Sequence, residues 1–361
     1  MVYNYSGTSI QSVYLLTGSQ YNHAYDIEGN DLLSGEEPWN PTPVSYDMNW
    51  LINSAWLANA ATQRDAIKSI YQQSEDAIPF FIQTDGHGRL NEGNKGCHNL
   101  AESVMRYIPN LQLGDYASYY SNGNNPANHA SSSAGIANYF SAMGNHEFML
   151  SSSDTGLASL PVLVASYTPP QGVLGSETYG YYKKVDTKYG VKFLVTQPHI
   201  PDENNSSGFV TKMTSDQYEW LINELEANDD YDIIFLQHEG LNGTYTKLDG
   251  TTYNVNYPAI DVNTILSARK AKTSGSYTDS YGVTHLFDFT RCTTDLLCSF
   301  HGHWHVISYM TKQALGFPVF VGRDMTNNGD CVYGIIDREG GYMYIYPFGR
   351  DTANEPIVLA L

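Results

Sequence analysis

The sequence predicts an α/β protein in which two β-sheets pack face to face between layers of helices, a four-layer α/β/β/α arrangement. Short apolar runs bounded by turn residues alternate with helical segments in the middle of the chain, a pattern typical of buried strands connected by helices. The last part, from PVFVGRDM through CVYGIIDREGGYMYIYPF, is rich in strand patterns instead. We expect these final strands to complete the second half of the fold.

Two units are expected along the 361 residues. Residues 1–76 form a lead-in segment rich in Gly, Asn, Pro and Tyr, followed by a long helix that begins near Asp47, where apolar residues recur at helical spacing. Residues 77–361 form the main domain, which begins at the apolar run AIPFFIQTD.

Two further elements follow from local patterns. The segments YYKKVDTK and GVKFLVTQ alternate apolar and polar residues on either side of a turn, which predicts a β-hairpin. The segment TSDQYEWLINELEAN begins with Thr214 and Gln217 in the spacing of a capping box, which predicts a helix.

Composition indicates a packed protein with an acidic surface. Hydrophobic residues make up 42% and aromatic residues 13% of the chain, so extensive disorder is not expected. The 19 basic and 38 acidic residues give a formal charge of -19, which repels polyanions and disfavours long nucleic acids as partners. Clustered carboxylates that bind divalent cations would offset part of this charge.

The cysteines and the first residues bear on the compartment. The four cysteines show no CxxC pairing, and we expect plain thiols in place of a disulfide scaffold. No stretch of eighteen apolar residues predicts a membrane span, and the start MVYNYSGTSIQ lacks the pattern of a signal peptide. We expect a soluble protein, cytoplasmic by default, with export after removal of a signal as the alternative.

Polar clusters follow the apolar runs of the main domain. They are Asp85-Gly86-His87, Gly114-Asp115, Gly144-Asn145-His146-Glu147, His238, and Gly302-His303-Trp304-His305. Carboxylate oxygen, amide oxygen and imidazole nitrogen together suit Mn, Fe and Zn, and the absence of a local Cys argues against a structural zinc site. Each cluster alone has an ordinary structural explanation, such as capping. Their joint appearance at predicted strand ends points to a metal site.

These five motifs resemble the calcineurin-like metallophosphoesterase family, whose pattern runs DxH, GD, GNH followed by an acid, a lone His, and GHxH. The resemblance covers the chain from about Ile78 to Val306 and implies the metallophosphoesterase-like form of the α/β/β/α fold. It implies two divalent or mixed-valence ions (Mn, Fe or Zn), with Asp115 as the bridging ligand. One ion would bind Asp85, His87 and His305, and the other would bind Asn145, His238 and His303.

The resemblance also implies a reaction. Two cations about 3.5 to 4 Å apart would hold a bridging hydroxide that attacks phosphorus in line, and would clamp the phosphoryl oxygens of a phosphomonoester or phosphodiester. His146, next to the ligand Asn145, would protonate the leaving alcohol. A role for His146 as a hydrogen-bond donor behind the ligands is the alternative. The acidic surface favours a small phosphorylated substrate.

Departures from the family pattern leave one question open. The family often places an acid where this chain has Ser118, and that acid orients the catalytic histidine. Either another carboxylate, such as Glu147, replaces it, or His146 is a weaker acid than usual. The lone histidine is commonly followed by x-Pro, but here Glu239 and Gly240 follow it. We expect Glu239 to face solvent or to form a salt bridge, and not to bind metal.

Other polar residues lie near the motifs. His301 would point to the same face as His303 along a strand and is the strongest candidate for an additional pocket residue, whereas His98, His129 and His199 are expected to lie outside the pocket. Arg89 is either a phosphate contact or a surface cation.

Two functions are compatible with these motifs. The first is metal-dependent hydrolysis of a phosphoric ester. The second is a metal-binding protein with weak or no turnover, acting in binding or as a structural component, which the missing acid at Ser118 favours.

Overall fold

The computed structural model describes residues 15–16, 24–25, 77–84, 109–115, 138–147, 160–202, 209–324, 331–348 and 356–361. The predicted long N-terminal helix lies outside these ranges, and so do Asp85, His87, Arg89 and Ser118. Of the lead-in segment, two short strands are described.

The strands, in chain order, are β1 (Leu15–Leu16), β2 (Ala24–Tyr25), β3 (Ala77–Gln83), β4 (Asn110–Leu113), β5 (Tyr139–Ala142), β6 (Val173–Leu174), β7 (Tyr182–Asp186), β8 (Val191–Val195), β9 (His199–Pro201), β10 (Phe209–Thr211), β11 (Asp232–Leu236), β12 (Gly243–Lys247), β13 (Thr252–Val255), β14 (Ser274–Thr278), β15 (Thr284–Asp288), β16 (Leu296–His301), β17 (Ser308–Met310), β18 (Val319–Val321), β19 (Cys331–Asp337), β20 (Tyr342–Phe348) and β21 (Ile357–Ala360). The described α-helices are α1 (Leu160–Tyr167), α2 (Ser215–Glu226), α3 (Asn263–Ala271) and α4 (Lys312–Leu315), and 3-10 turns occupy Asn145–Glu147 and Pro258–Ile260.

The first sheet has six strands in the order β21-β20-β19-β3-β4-β5. β3, β4 and β5 are parallel. β19 runs antiparallel to β3 and joins the tail strands to this sheet. The expectation that the tail would complete the second half of the fold is therefore wrong for β19, β20 and β21. Among the described strands of the tail, only β18 enters the other sheet.

The second sheet has nine strands in the order β13-β12-β17-β18-β16-β11-β8-β7-β6. Its centre is parallel, because β11 pairs in parallel with both β8 and β16, and β16 pairs in parallel with β18. The predicted hairpin of YYKKVDTK and GVKFLVTQ is confirmed, with β7 and β8 paired antiparallel from Tyr182↔Val195 to Asp186↔Val191.

The two sheets enclose one apolar core. Buried side chains from β3, β4 and β5 pack against those from β8, β11 and β16, and the Phe140 and Phe193 rings stack at 3.8 Å between their centroids. Strands buried on both faces are mostly apolar, which explains the apolar runs in the sequence, although Asn110 and Gln112 of β4 are buried polar residues. The expected sandwich of two sheets is confirmed.

Helices α2 and α3 cover the outer face of the second sheet. Tyr218, Leu221 and Leu225 of α2 and Ile265 and Leu266 of α3 pack on buried residues of β11, β16 and β18. Within the described part of the chain, no helix is both long and apolar enough to cross a bilayer.

The start of α2 differs in one detail from the predicted capping box. The Thr214 side chain accepts a hydrogen bond from the Gln217 backbone N–H, as expected for an N-cap. The Gln217 side chain, however, bonds to the backbone N–H and C=O of Gln197. It links the helix to the loop after β8, so the reciprocal half of the box is replaced by a tertiary contact.

The topology positions the polar motifs. β4, β5, β11 and β16 all end at a motif, and parallel strands within one sheet present their carboxyl ends at the same edge. Because the sheets pack face to face, the ends of β4 and β5 meet those of β11 and β16. Motifs that are far apart in sequence therefore share one end of the sandwich.

Candidate metal centre

Three of the predicted ligands converge at this end of the sandwich. One ligand atom from each of Asp115, His238 and His303 lies within 4.8 Å of the others, and Asp115 and His238 are buried. Asp115 follows β4, His238 follows β11 and His303 follows β16, so the group joins both sheets. A carboxylate and two imidazoles arranged in this way can hold a divalent cation.

His238 is oriented by a backbone carbonyl. Its Nδ1 lies 2.5 Å from the carbonyl oxygen of Leu113, so this nitrogen carries the proton and donates. Its Nε2 then presents a lone pair, 3.2 Å from Asp115 Oδ2 and 3.2 Å from Asn145 Oδ1. A hydrogen bond on the far nitrogen that sets the tautomer is a common feature of histidines that bind metals.

Asn145 and His303 extend the group. Asn145 Oδ1 lies 2.9 Å from His303 Nδ1, which in turn lies 3.3 Å from His238 Nε2. Burial, and then the neighbouring His238, lower the pKa of His303 to about 4. The His303 ring is therefore neutral near pH 7, which is the form that binds cations. The structure thus brings together four of the seven predicted ligands.

His146 lies beside Asp115. Its backbone N–H donates to Asp115 Oδ1 at 2.8 Å, and its imidazole Nε2 lies 3.9 Å from Asp115 Oδ2. Burial lowers the pKa of His146, the Asp115 carboxylate raises it, and His238 and His305 lower it further. The side chain keeps 16% of its surface exposed, so it borders the open side of the site.

Glu147 holds two of the loops together. Its Oε2 accepts hydrogen bonds from the backbone N–H groups of Gly144 (2.6 Å) and Asp115 (2.9 Å), and its Oε1 accepts one from the Tyr167 hydroxyl (2.6 Å). The carboxylate is buried, and hydrogen bonds to a charged acceptor are strong in such surroundings. These bonds give Glu147 a different role from the orientation of His146 that the sequence suggests.

The glycines of the motifs leave room for the neighbouring ligands. A Cβ on Gly144 would lie 2.2 Å from Asp115 Oδ1, and one on Gly114 would lie 2.3 Å from His238 Nδ1. A Cβ on Gly302 would lie 2.0 Å from Thr84 Oγ1. All three distances are far below van der Waals contact, so these positions require glycine.

Left-handed backbone conformations occur at three of the predicted ligands. Asp115, His303 and His305 have φ of 57°, 72° and 54°, and Gly114 adds a fourth such position at 97°. A non-glycine residue in this region costs about 1–3 kcal/mol and persists only where the surrounding structure compensates for it. These backbone conformations in the turns after β4 and β16 therefore set the direction of the ligand side chains.

The remaining predicted ligands are His305, Asp85 and His87. His305 is exposed as a whole residue. Partial desolvation of its ring lowers its pKa, and the nearby carboxylates of Asp324 and Asp115 oppose this shift. Asp85 and His87 lie outside the described residues. Thr84, the last described residue before them, bonds to the carbonyl of Leu113 at 3.4 Å, so β3 ends beside the same loops.

A buried pair of a histidine and a carboxylate lies behind His238. His199 Nε2 is 2.5 Å from Glu239 Oε1, and both side chains are almost fully buried. Burial alone would raise the pKa of Glu239, but the attraction and hydrogen bond of His199 outweigh it and lower the pKa to about 2. The expected salt bridge of Glu239 is confirmed. The sequence did not identify its partner, because no motif links a histidine to a residue forty positions away.

His301 does not line an open pocket. It is fully buried, with Nδ1 2.9 Å from the carbonyl of Gln237 and Nε2 3.1 Å from Ser299 Oγ. The expectation that it enters the pocket is therefore wrong, because its ring bonds to the neighbouring strand. His98 and His129 lie outside the described ranges.

A residue that the sequence did not single out contacts a ligand. The hydroxyl of Tyr257 lies 3.1 Å from His303 Nε2, on the side of the ring away from Asp115. Tyr257 comes from the long polar insert between β11 and β16, which carries no recognisable motif. Its position in the sequence therefore gave no indication of this contact.

The donor set fits a metal ion. Buried oxygen and nitrogen atoms converge, one imidazole has its tautomer fixed with Nε2 facing the group, and glycines at three motifs keep the space clear. This combination of N and O ligands suits the borderline divalent metals that the sequence predicts.

We predict that Glu147→Ala weakens the whole site. Loss of its three hydrogen bonds leaves the backbone N–H groups of Gly144 and Asp115 without their acceptor, so the free energy of unfolding should fall by about 3 kcal/mol or more in urea titrations. Metal affinity should fall with it. Glu177→Ala, at an exposed position, is the control and should change neither quantity. Unchanged stability of Glu147→Ala would contradict this account.

We also predict that the buried pair makes stability depend on pH. Glu239→Ala leaves the buried His199 Nε2 without the carboxylate that it contacts and should cost about 1–3 kcal/mol of unfolding free energy at pH 7, whereas Glu239→Gln should cost less. Because the pKa of Glu239 in the folded protein, about 2, lies below its unfolded value, the contribution is complete above about pH 4.3 and is lost as the pH falls towards 2. Urea titrations of the metal-free protein at pH 3 and pH 7 measure this difference.

Comparison with known proteins shows which family the chain belongs to. No curated protein sequence matches it. It is similar in structure to phosphopantetheinyl hydrolase from Mycobacterium tuberculosis (12% identity, TM-score 0.38, 69% of this chain and 91% of that one). It is also similar to GAP50, the anchor in the inner membrane complex of Plasmodium (8%, TM-score 0.42, 79% and 89%), and to a metallophosphoesterase from Sphaerobacter thermophilus (10%, TM-score 0.27, 76% and 90%). The family model described as calcineurin-like phosphoesterase matches residues 78–306, more than half of the chain. The chain therefore belongs to the calcineurin-like phosphoesterase family, whose members are metal-dependent phosphoesterases.

Proposed function

We propose that this protein hydrolyses a small phosphoric ester, either a monoester or a diester, at a centre of two divalent cations. The observation that carries the proposal is the convergence of Asp115, His238 and His303 at the ends of strands from both sheets. Membership of the family supports the reaction class.

Two groups of side chains would hold the cations. Asp115 would bridge them, and Asn145, His238 and His303 would complete one site. Asp85, His87 and His305 would complete the other. Cations bound there would act as Lewis acids that activate water and neutralise charge on the phosphoryl oxygens.

The protein's own groups would prepare the site for the ester. The Leu113 carbonyl keeps His238 in the tautomer whose Nε2 faces the group, and Glu147 holds the loops of Asp115 and Asn145 at a fixed separation. His146, at the open side of the site, would donate a proton to the leaving oxygen. Burial lowers the pKa of His146 and so disfavours the protonated ring, and the Asp115 carboxylate offsets part of this effect.

The charge of the chain supports a small substrate. A formal charge of -19 opposes the approach of a long polyanion, whereas a small phosphate ester meets repulsion over a limited area that bound cations can offset. Small phosphorylated molecules are therefore the proposed substrate class.

We predict that Asp115→Asn abolishes the metal-dependent hydrolysis of nitrophenyl phosphate and bis-nitrophenyl phosphate, because a neutral amide cannot bridge two cations. Initial rates with Mn²⁺, Fe²⁺ or Zn²⁺ measure the effect. Asp249→Asn, which removes the same charge at an exposed position in a turn, is the control and should retain the rate. If wild-type protein shows no activity with any divalent cation, the alternative of a metal-binding protein without turnover is favoured.

We predict opposite phenotypes for two histidines. His146→Ala should lower kcat by about 10²–10⁴-fold with metal content retained, because a proton donor is not a ligand. His303→Ala should lose metal first, with the rate following. Metal analysis by mass spectrometry alongside kinetics separates the two. Loss of the cations from His146→Ala would contradict its assigned role.

A further inference from the structure

Tyr257 is held firmly beside the metal centre. Its backbone N–H donates to Asn242 Oδ1 at 2.5 Å, and Asn242 Nδ2 lies 3.5 Å from its carbonyl oxygen. Asn263 Nδ2 donates to the Asn242 carbonyl at 2.7 Å, which fixes Asn242 in turn. These bonds join the start of the 3-10 turn Pro258–Ile260 to the loop just after His238 and Glu239. The position of the Tyr257 ring therefore depends on the same loop that carries a predicted ligand.

The two nitrogens of His303 face different partners. Nδ1 faces the group, at 2.9 Å from Asn145 Oδ1 and 3.3 Å from His238 Nε2, whereas Nε2 faces the Tyr257 hydroxyl at 3.1 Å. An imidazole that binds a cation through Nδ1 must carry its proton on Nε2. That proton then points at the oxygen of Tyr257.

The surroundings of Tyr257 suit an acceptor. A tyrosine hydroxyl has an ordinary pKa of about 10 and is neutral at physiological pH. A neutral hydroxyl can accept from Nε2–H through an oxygen lone pair and still donate its own proton. The ring also packs against Trp304, next to His303 in the chain, with 6.3 Å between ring centroids.

We propose that Tyr257 is a positioning residue of the metal centre, whose hydroxyl oxygen accepts a hydrogen bond from His303 Nε2–H and so keeps Nδ1 directed at Asp115 and His238. This inference rests on the proposed function, because it assumes that His303 binds a cation. Partners of this kind behind a ligand typically contribute 10–100-fold to metal affinity or activity.

The test compares Tyr257→Phe with Tyr253→Phe. Tyr253 belongs to the same aromatic group, packed on Trp304 at 5.2 Å, but its hydroxyl bonds to Ser308 Oγ at 2.7 Å and not to a predicted ligand. Each variant loses one hydroxyl and keeps its ring. We expect Tyr257→Phe to bind Zn²⁺ and Mn²⁺ about 10–100-fold more weakly in chelator competition, with Tyr253→Phe close to wild type.

A second measurement uses the wild-type protein. In the Zn²⁺-loaded form labelled with ¹⁵N-histidine, His303 should show a protonated Nε2 whose hydrogen exchanges slowly with water, because it is bonded to Tyr257. In Tyr257→Phe this signal should exchange faster or disappear. Thermal unfolding of both variants checks that they are folded, and the wild-type spectrum decides the question if Tyr257→Phe does not fold.

The outcomes separate the inference from the function on which it rests. If wild-type protein binds metal and Tyr257→Phe binds it equally well, the inference is overturned and the proposed function stands. Equal weakening of both variants would assign the effect to packing of the aromatic group and would also overturn it. The inference is also overturned if His303 carries its proton on Nδ1 in the Zn²⁺-loaded protein. If wild-type protein binds no divalent cation, both proposals fail.

Discussion

The hydrogen bond from His238 Nδ1 to the carbonyl of Leu113 joins the two halves of this molecule at its candidate site. His238 follows β11 of the nine-stranded sheet, and Leu113 ends β4 of the six-stranded sheet. The bond can form only when the two sheets are packed in the correct register. Once formed, it sets the tautomer that the site requires. Packing of the apolar core and the chemistry of the site are therefore coupled through one contact.

The sequence contains most of the information that defines the centre of the fold. Strands buried on both faces must be apolar along their length, so β3, β11 and β16 appear as continuous apolar runs, and the polar motifs follow at their ends. The placement of β19 could not be predicted in the same way. Its pattern fits a buried strand in either sheet, and its pairing with β3 depends on contacts between distant parts of the chain.

The site likewise contains residues that a sequence motif identifies and residues that no motif identifies. Short motifs identified Asp115, Asn145, His238 and His303, which the fold brings together, and the glycines around them. Residues that support these ligands act through geometry that no motif encodes. Glu147 follows the GNH motif, but its partners are backbone N–H groups, and any residue type can supply these. Tyr257 contacts the ligand His303, and His199 contacts Glu239, the residue after the ligand His238. Both come from segments that lie near the site only because the sheets are folded.

The pairing of β19 with β3 has a consequence for biosynthesis. β3 pairs with β19, which lies far along the chain. Pairings between such distant segments form slowly. On the ribosome, β3 and β4 leave the exit tunnel long before β19, so the nascent sheet exposes an unpaired edge for most of translation. The β3 edge is therefore protected only after β19 has been synthesised and has paired with it.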